Sequence, residues 1–392
     1  MTRLVDAVRG RLADAGAVPT PAQVAAALRA EERVLGDAEA LALAAELHAD
    51  LVGAGPLEPL LRAAGVTDVL VNGPEEVWVD TGAGLARTTV RFPDEAALRR
   101  LAQRLAATAG RRLDDAAPYV DARLPDGTRL HAVLPPIAAG GGTCLSLRLP
   151  RRRAFTLEEL VAAGAVPPAG AALLAALVAA RLAFLVTGGT GTGKTTLLSC
   201  LLSLAGPDER LVLVEDSAEL RPAHGHVVRL EARPPNVEGA GGVTLHDLLR
   251  QALRMRPDRL VVGEVRGAEV VTLLAALNTG HEGGCGTLHA NAAADVPARL
   301  EALACAAGLS REAVHSQLAA ALDVVVHLVR APGGPRRVAE VCLLRRAADG
   351  LVGTVPAVSF SSDGRVLAAA GAVVLADRLA GRWEPPSTER AP

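Results

Sequence analysis

The sequence predicts an α/β protein: a mostly parallel sheet covered by helices carries a phosphate-binding loop, and a smaller domain of mixed strands and helices precedes it. Three observations predict this. From residue 182 onward, apolar β-type runs alternate with helical segments, as in βα units of a parallel sheet. The stretch GGTGTGKTT, Gly188–Thr196, lies between one such run, LAFLV, and a helical one, KTTLLSCLL. Upstream, short β-type runs are separated by Asn-Gly and Asp-Gly turns, with one helical segment among them.

Residues 1–50 read as amphipathic helices, with apolar positions three and four apart in LVDAVRGRL and LALAAELHADLV. GAGPLEPLL then interrupts the pattern. Residues 66–92 alternate as strands, DEAALRRLAQRLAATAG has helical periodicity with an acidic first turn, and ARLPDGTRLHAVLPP and TCLSLRLP return to the strand pattern. Residues 51–150 are therefore expected to form one domain. LPRRRAFTLEEL reads as a linker with a solvated hinge at Arg151–Arg153, followed by a helix whose Thr156 and Glu159 fit a capping box. The apolar stretch 169–186 is interrupted by Arg181 and reads as a buried helix running into a buried strand, not as a membrane span. The βα pattern extends to about 345. Residues 346–392 are expected to be a C-terminal extension, with GRWEPPSTERAP as a disordered tail.

Composition narrows the function classes. A net charge of −2 and an aromatic content of 2% give neither general attraction for nucleic acid nor stacking platforms for single strands. The five cysteines, Cys144, Cys200, Cys285, Cys305 and Cys342, form no C-x-x-C pair, so neither a disulfide framework nor a cysteine zinc site is indicated, and a reducing cytoplasm is expected. The start, MTRLVDAVRGRLADAG, has no apolar run long enough for a signal peptide.

Gly188, Gly193, Lys194 and Thr195 satisfy G-x-x-x-x-G-K-[ST] in the strand-to-helix context that a P-loop requires. Glycines let backbone N–H groups wrap phosphate oxygens, and the helix N-terminus adds partial positive charge. The expected nucleotide contacts are Gly188, Gly189, Thr190, Gly191, Thr192, Gly193, Lys194, Thr195 and Thr196. Lys194 would reach the β- and γ-phosphates, and the Thr195 hydroxyl would bind Mg²⁺. Lys194 is the only lysine in the sequence; all other basic side chains among the 41 are arginines. A compact ammonium threads between phosphates where a planar guanidinium is too wide.

Carboxylates end two of the expected strands: Glu215 and Asp216 in RLVLVEDSAEL, with Glu219 beyond, and Glu264 in RLVVGEVRG. Ligands gather at the carboxyl ends of strands in an open parallel sheet, so these groups can hold Mg²⁺ and orient or deprotonate water. In TGHEGGCGTLHAN, His281, Cys285 and His289 have a spacing that on a helix suggests zinc, but Gly283, Gly284 and Gly286 argue against a helix. The segment reads better as a loop entering a strand, with the imidazoles near the phosphate crevice and no zinc.

TGGTGTGKTT, VEDSAEL, ARPPNVEG, ALRMRPDRLVVGEVRGAE and NTGHEGGCGTLHAN together resemble the Walker A, Asp box, Walker B and His box of the secretion ATPase superfamily. Upstream, GAGPLEPLL, VTDVLVNGPEEVWVD and DARLPDGTRLHAVLPP extend the resemblance to about residues 50–345. They most resemble the ATPases of tight-adherence (Flp-type) pilus assembly and conjugal transfer; the four-cysteine module of some type II relatives is absent. The resemblance implies an N-terminal α/β domain joined to a RecA-like ATPase domain, six subunits in a ring, ATP and Mg²⁺ as ligands, and a peripheral cytoplasmic position on an integral-membrane platform protein. It assigns Glu264 as the base for water, Glu215, Asp216 and Glu219 to the Asp box, and His281 and His289 to the His box. Arg123 and Arg148 match N-domain arginines that reach the γ-phosphate. HEGG stands where relatives commonly have HDGS. The expected function is a hexameric ATP-hydrolysing motor for pilus assembly or secretion. The alternatives are a nucleic-acid translocase on the same core and a nucleotide-gated scaffold that does not hydrolyse.

Overall fold

The structure is a computed structural model that describes residues 53–385 apart from 83, 141, 151–152, 234, 236–239, 281, 332–333 and 362–363. The helices expected over 1–50 lie outside the described residues. The chain divides into two compact units between 151 and 152.

In the first unit, a 3₁₀ turn at Gly55–Leu57 leads into α1 (Glu58–Arg62), and strands β1 (Asp68–Asn72), β2 (Val77–Asp80) and β3 (Leu85–Arg87) follow. Helix α2 (Glu95–Thr108) begins where the Asp94 carboxylate accepts from the Ala97 N–H at 2.7 Å, supplying one of the bonds that a helix start lacks. Strands β4 (Tyr119–Arg123), β5 (Arg129–Val133) and β6 (Cys144–Arg148) complete a six-stranded antiparallel sheet in the order β3-β2-β1-β6-β5-β4. Leu98, Leu101 and Leu105, spaced three and four apart on α2, share a core with the alternate strand residues Val69, Val71, Leu130, Leu145 and Leu147.

The second unit opens with α3 (Leu157–Ala162), where the Thr156–Glu159 capping box is present. Arg153, expected in a solvated hinge, grips Glu159 through both Nη groups at 2.8 and 2.6 Å. The side chain is exposed, as expected, and the capping box holds the carboxylate in place for the guanidinium fork. The elements that follow are α4 (Pro168–Ala179), β7 (Phe184–Gly188), α5 (Lys194–Leu202), β8 (Leu211–Glu215), β9 (Val227–Glu231), α6 (Leu245–Ala252), β10 (Arg259–Val265), α7 (Glu269–Leu277), β11 (Cys285–His289), α8 (Val296–Ala306), α9 (Arg311–Ala321) and β12 (Val324–Arg330). Then come β13 (Arg336–Arg346), β14 (Val352–Phe360), β15 (Val366–Ala368) and α10 (Ala372–Arg378).

The sheet order is β15-β14-β13-β12-β7-β11-β10-β8-β9. The strands from β12 to β9 in that order run parallel, and β13, β14 and β15 continue the sheet antiparallel. Strand alternation places Phe184 and Val186 in one core, with α3, α4, α5 and α10, while Leu185 enters the other, with α6 to α9. A strand buried on both faces reads as a continuous apolar run, which LAFLV is.

The boundary expected at 345 falls inside β13, and the residues after it extend the same sheet. The disordered tail is also corrected. Trp383 is buried with Leu375 and Leu379, because an indole at that position completes the apolar layer under α10. Residues 386–392 of the expected tail lie outside the described residues.

Candidate active site

The site begins where β7 stops. Gly188 adopts φ 149°, and a Cβ on it would lie 2.7 Å from Thr192 Oγ1, so the turn admits only glycine. Gly193, at φ 96°, starts α5 with no side-chain cap, leaving the first helical N–H groups available to an anion. Lys194 is buried at the first helical position. Its Nζ donates to the carbonyls of Gly188 at 3.1 Å and Gly189 at 2.9 Å, so the ammonium sits inside the loop. Burial lowers its pKa, against the opposing pull of Glu264. Thr195 and Thr196 are half-buried on the same first turn, and Thr190 is exposed at the loop tip.

Register aligns the other groups with this loop. His289 of β11 pairs with Gly188, Leu288 pairs with Val265 of β10, and Val262 pairs with Val214 of β8. The carboxyl ends of β7, β11, β10 and β8 thus present Lys194, His289, Glu264 and Glu215 in a row. His289 Nε2 lies 2.9 Å from Glu264 Oε1, and Lys194 Nζ lies 3.4 Å from the imidazole nitrogens. Nε2–H donating to Glu264 leaves Nδ1 to accept from Lys194, which is a neutral imidazole. Burial, with the Lys194 charge adding to it, lowers the His289 pKa and favours that form.

Arg266 was not among the expected site residues. Its guanidinium hydrogen-bonds Glu264 Oε2 and lies 3.8 Å from Asp216. Both Glu264 oxygens are therefore engaged, and an unbroken polar chain runs from the loop lysine to the exposed Asp216. Glu264 near the end of β10 and Arg266 just beyond it are two residues apart, and that spacing was a signal the sequence held.

Glu215 differs from its neighbours. Its Oε1 accepts from the backbone N–H groups of Glu219 and Leu220, both at 2.9 Å, while Oε2 is buried with no hydrogen-bond partner among the described residues. Burial raises its pKa to about 7. A Cβ on Gly263 would lie 2.7 Å from Glu215 Cγ, so the missing side chain on β10 makes room for the carboxyl. Here Glu215 folds the turn that carries Asp216 and the exposed Glu219. On the other flank of β7, Thr187 Oγ1 and His327 Nδ1 of β12 are 2.9 Å apart, and His327 also bonds the Asn291 backbone. One buried imidazole thus ties the strand before the loop to the segment after His289.

His281 lies outside the described residues. Cys285, its neighbour in the zinc-like spacing, is buried in β11 with its thiol pushed up to about 12 by burial. Arg123 and Arg148 end β4 and β6 in the first unit, where Arg148 pairs with Asp68 at 2.8 Å.

A glycine loop around a lysine, opposite a carboxylate held by histidine and arginine, defines a class of phosphate site, and the type II/IV secretion system protein family matches residues 50–352. The chain belongs to that family. It is 62% identical over 320 residues to a putative conjugal transfer protein of Mycobacterium tuberculosis, covering 80% of this chain and 91% of that one. The type IV secretion system protein PtlH of Bordetella pertussis is 33% identical over 314 residues, covering 73% and 92% of the two chains. The solved Legionella pneumophila ATPase DotB is similar in fold, with a TM-score of 0.53 and 20% identity over 74% of this chain and 79% of that one. This places the chain in the secretion ATPase superfamily.

The residues of this family member fit a nucleotide phosphate: the loop closes on its own lysine, and the helix start behind it lacks a side-chain cap. Thr195 on the first turn of α5 and the carboxylates of Glu264 and Asp216 supply hard oxygens of the kind Mg²⁺ takes. Among the described residues, no helix is long and apolar enough to cross a membrane.

Proposed function

We propose that this chain is an ATP-hydrolysing motor subunit that works as a hexamer on the cytoplasmic face of a membrane and drives pilus assembly or secretion through an integral-membrane platform. The observation that carries the reading is the polar row Lys194–His289–Glu264–Arg266 beside the glycine loop. The loop amides and Lys194 hold the β- and γ-phosphates, and Lys194 exchanges its bonds to the Gly188 and Gly189 carbonyls for phosphate oxygens. Thr195 and the carboxylates of Asp216 and Glu264, the latter through water, would hold Mg²⁺, which when bound would supply positive charge against that developing on the phosphates. Glu264 orients and deprotonates the attacking water, with His289 and Arg266 fixing its carboxylate. Arg123 and Arg148 would bring further positive charge to the γ-phosphate.

Steady-state phosphate release from Mg²⁺-ATP by the full chain tests this, with Glu264→Gln as the comparison. Wild-type turnover that is lost in the variant while nucleotide binding persists supports the motor; no turnover in any assembled state overturns it. The relative named a conjugal transfer protein supports a second reading, export of nucleoprotein by the same motor. Stimulation of turnover by DNA alone favours that reading, and recovery of an integral-membrane platform with ATP-trapped Glu264→Gln favours the first.

A further inference from the structure

Arg330 ends β12, Arg336 begins β13, and the two face each other in register across the hairpin. Like charges directly opposite in an antiparallel pair destabilise it. Among the described residues, the Arg330 side chain makes no hydrogen bond and that of Arg336 makes one, from Nε to the Gly191 carbonyl at 2.8 Å. Neither has a carboxylate partner among the described residues to offset the repulsion.

Both side chains instead lie on the glycine loop. The Arg336 Cδ is 3.5 Å from where a Cβ on Gly193 would be, and Arg330 Nη1 is 3.8 Å from that position on Gly191. The acidic groups of the site are on the other flank of β7, beyond β11. On this flank, two guanidinium groups adjoin a helix start and a lysine, and an anion is the missing counterpart. A guanidinium fork offers parallel donors matched to phosphate oxygens.

We propose that the β12–β13 hairpin is a second wall of the phosphate site, in which Arg330 and Arg336 bind the polyphosphate of the nucleotide opposite the Glu264 row. This wall presupposes the nucleotide-binding reading given above. The like-charge pair is held against its own repulsion in the free protein and is neutralised when nucleotide enters.

The test uses the full chain with Arg330→Thr and Arg336→Gln, and with Arg337→Gln, which lies beside them but donates to the Phe360 carbonyl, as control. Fluorescent ADP and a non-hydrolysable ATP analogue are titrated with Mg²⁺, and Tm is measured with and without nucleotide. Each variant is expected to bind about tenfold more weakly, as for loss of one charge-assisted bond, with the control unchanged. The ligand-free Tm of Arg330→Thr is expected to equal or exceed wild type, because the repulsion is gone and threonine suits a strand, while its nucleotide-induced rise shrinks. If wild type binds nucleotide and both variants bind within about twofold of it, the wall is refuted. A lower ligand-free Tm with an unchanged nucleotide-induced rise also refutes it, since that is a structural role. If wild type binds no nucleotide at all, the parent reading fails with it.

Discussion

Glu215→Gln turns the buried carboxyl on β8 into a measurement. Glutamine keeps an oxygen for the Glu219 and Leu220 N–H groups but cannot ionise. In the folded protein burial raises the Glu215 pKa to about 7 from the ordinary 4.5. A raised carboxyl pKa means the native state holds its proton more tightly than the unfolded chain. The resulting stability is complete below about 4.5, declines as pH rises through the interval to about 7, and has no more to lose above that. At about 1.4 kcal/mol per pH unit, the interval corresponds to about 3 kcal/mol. Trp383, buried in the second unit, reports its unfolding once Trp78 is replaced by phenylalanine. Urea denaturation in that background, with EDTA and without nucleotide, is expected to show wild type losing about 2–3 kcal/mol relative to Glu215→Gln between pH 5 and pH 8. A difference constant to within about 0.5 kcal/mol over that range would refute the reasoning.

Three further outcomes are expected. Glu264→Gln should lower turnover by about 10²- to 10⁴-fold and leave nucleotide affinity within a few-fold, as read by phosphate release and by titration. Gly263→Ala should cost about 1–3 kcal/mol in urea denaturation, because its methyl meets Glu215 Cγ at 2.7 Å; a neutral change would mean that the carboxyl shifts freely. Thr187→Val and His327→Phe should each destabilise, and their double-mutant cycle should give a coupling of about 0.5–3 kcal/mol, whereas additive effects would deny the buried bond.

The chemistry at the centre was legible because local patterns encode it. The glycine loop needs a strand before it and a helix after it, and LAFLV and KTTLLSCLL supply both in consecutive residues. The Thr156–Glu159 capping box was equally local, since its two bonds join residues three apart. The ion pair of the exposed Arg153 was not legible, because its partner becomes available only when that box forms. The carboxylate row needed register as well: Glu264 lies beside His289 only because β10 and β11 pair as they do, and no spacing in the sequence states that pairing. The antiparallel half was the least legible. Pro356 lies within β14 and removes a backbone donor, which argues against a strand, but it stands opposite Cys342 where the β13–β14 register shifts. Arg330 and Arg336 were invisible as a pair for a related reason, since only the hairpin brings them together on Gly191 and Gly193.

The sheet order also sets a schedule for synthesis. Phe184 and Val186, under the phosphate loop, share one core with Leu375, Leu379 and Trp383 near the other end of the second unit. β12, which covers one edge of β7, is translated more than a hundred residues after it. At a ribosomal pace of about 5–20 residues per second, the loop segment therefore waits roughly 7 to 30 seconds for its flank, and the layer beneath it closes only once Trp383 has emerged. Nascent chains stalled before β12 should be cut by protease around the loop, and chains stalled after Trp383 has emerged should resist. The layer under the nucleotide site becomes complete only once Trp383 has emerged, so a product truncated before it would carry the phosphate motif without a finished site to use it.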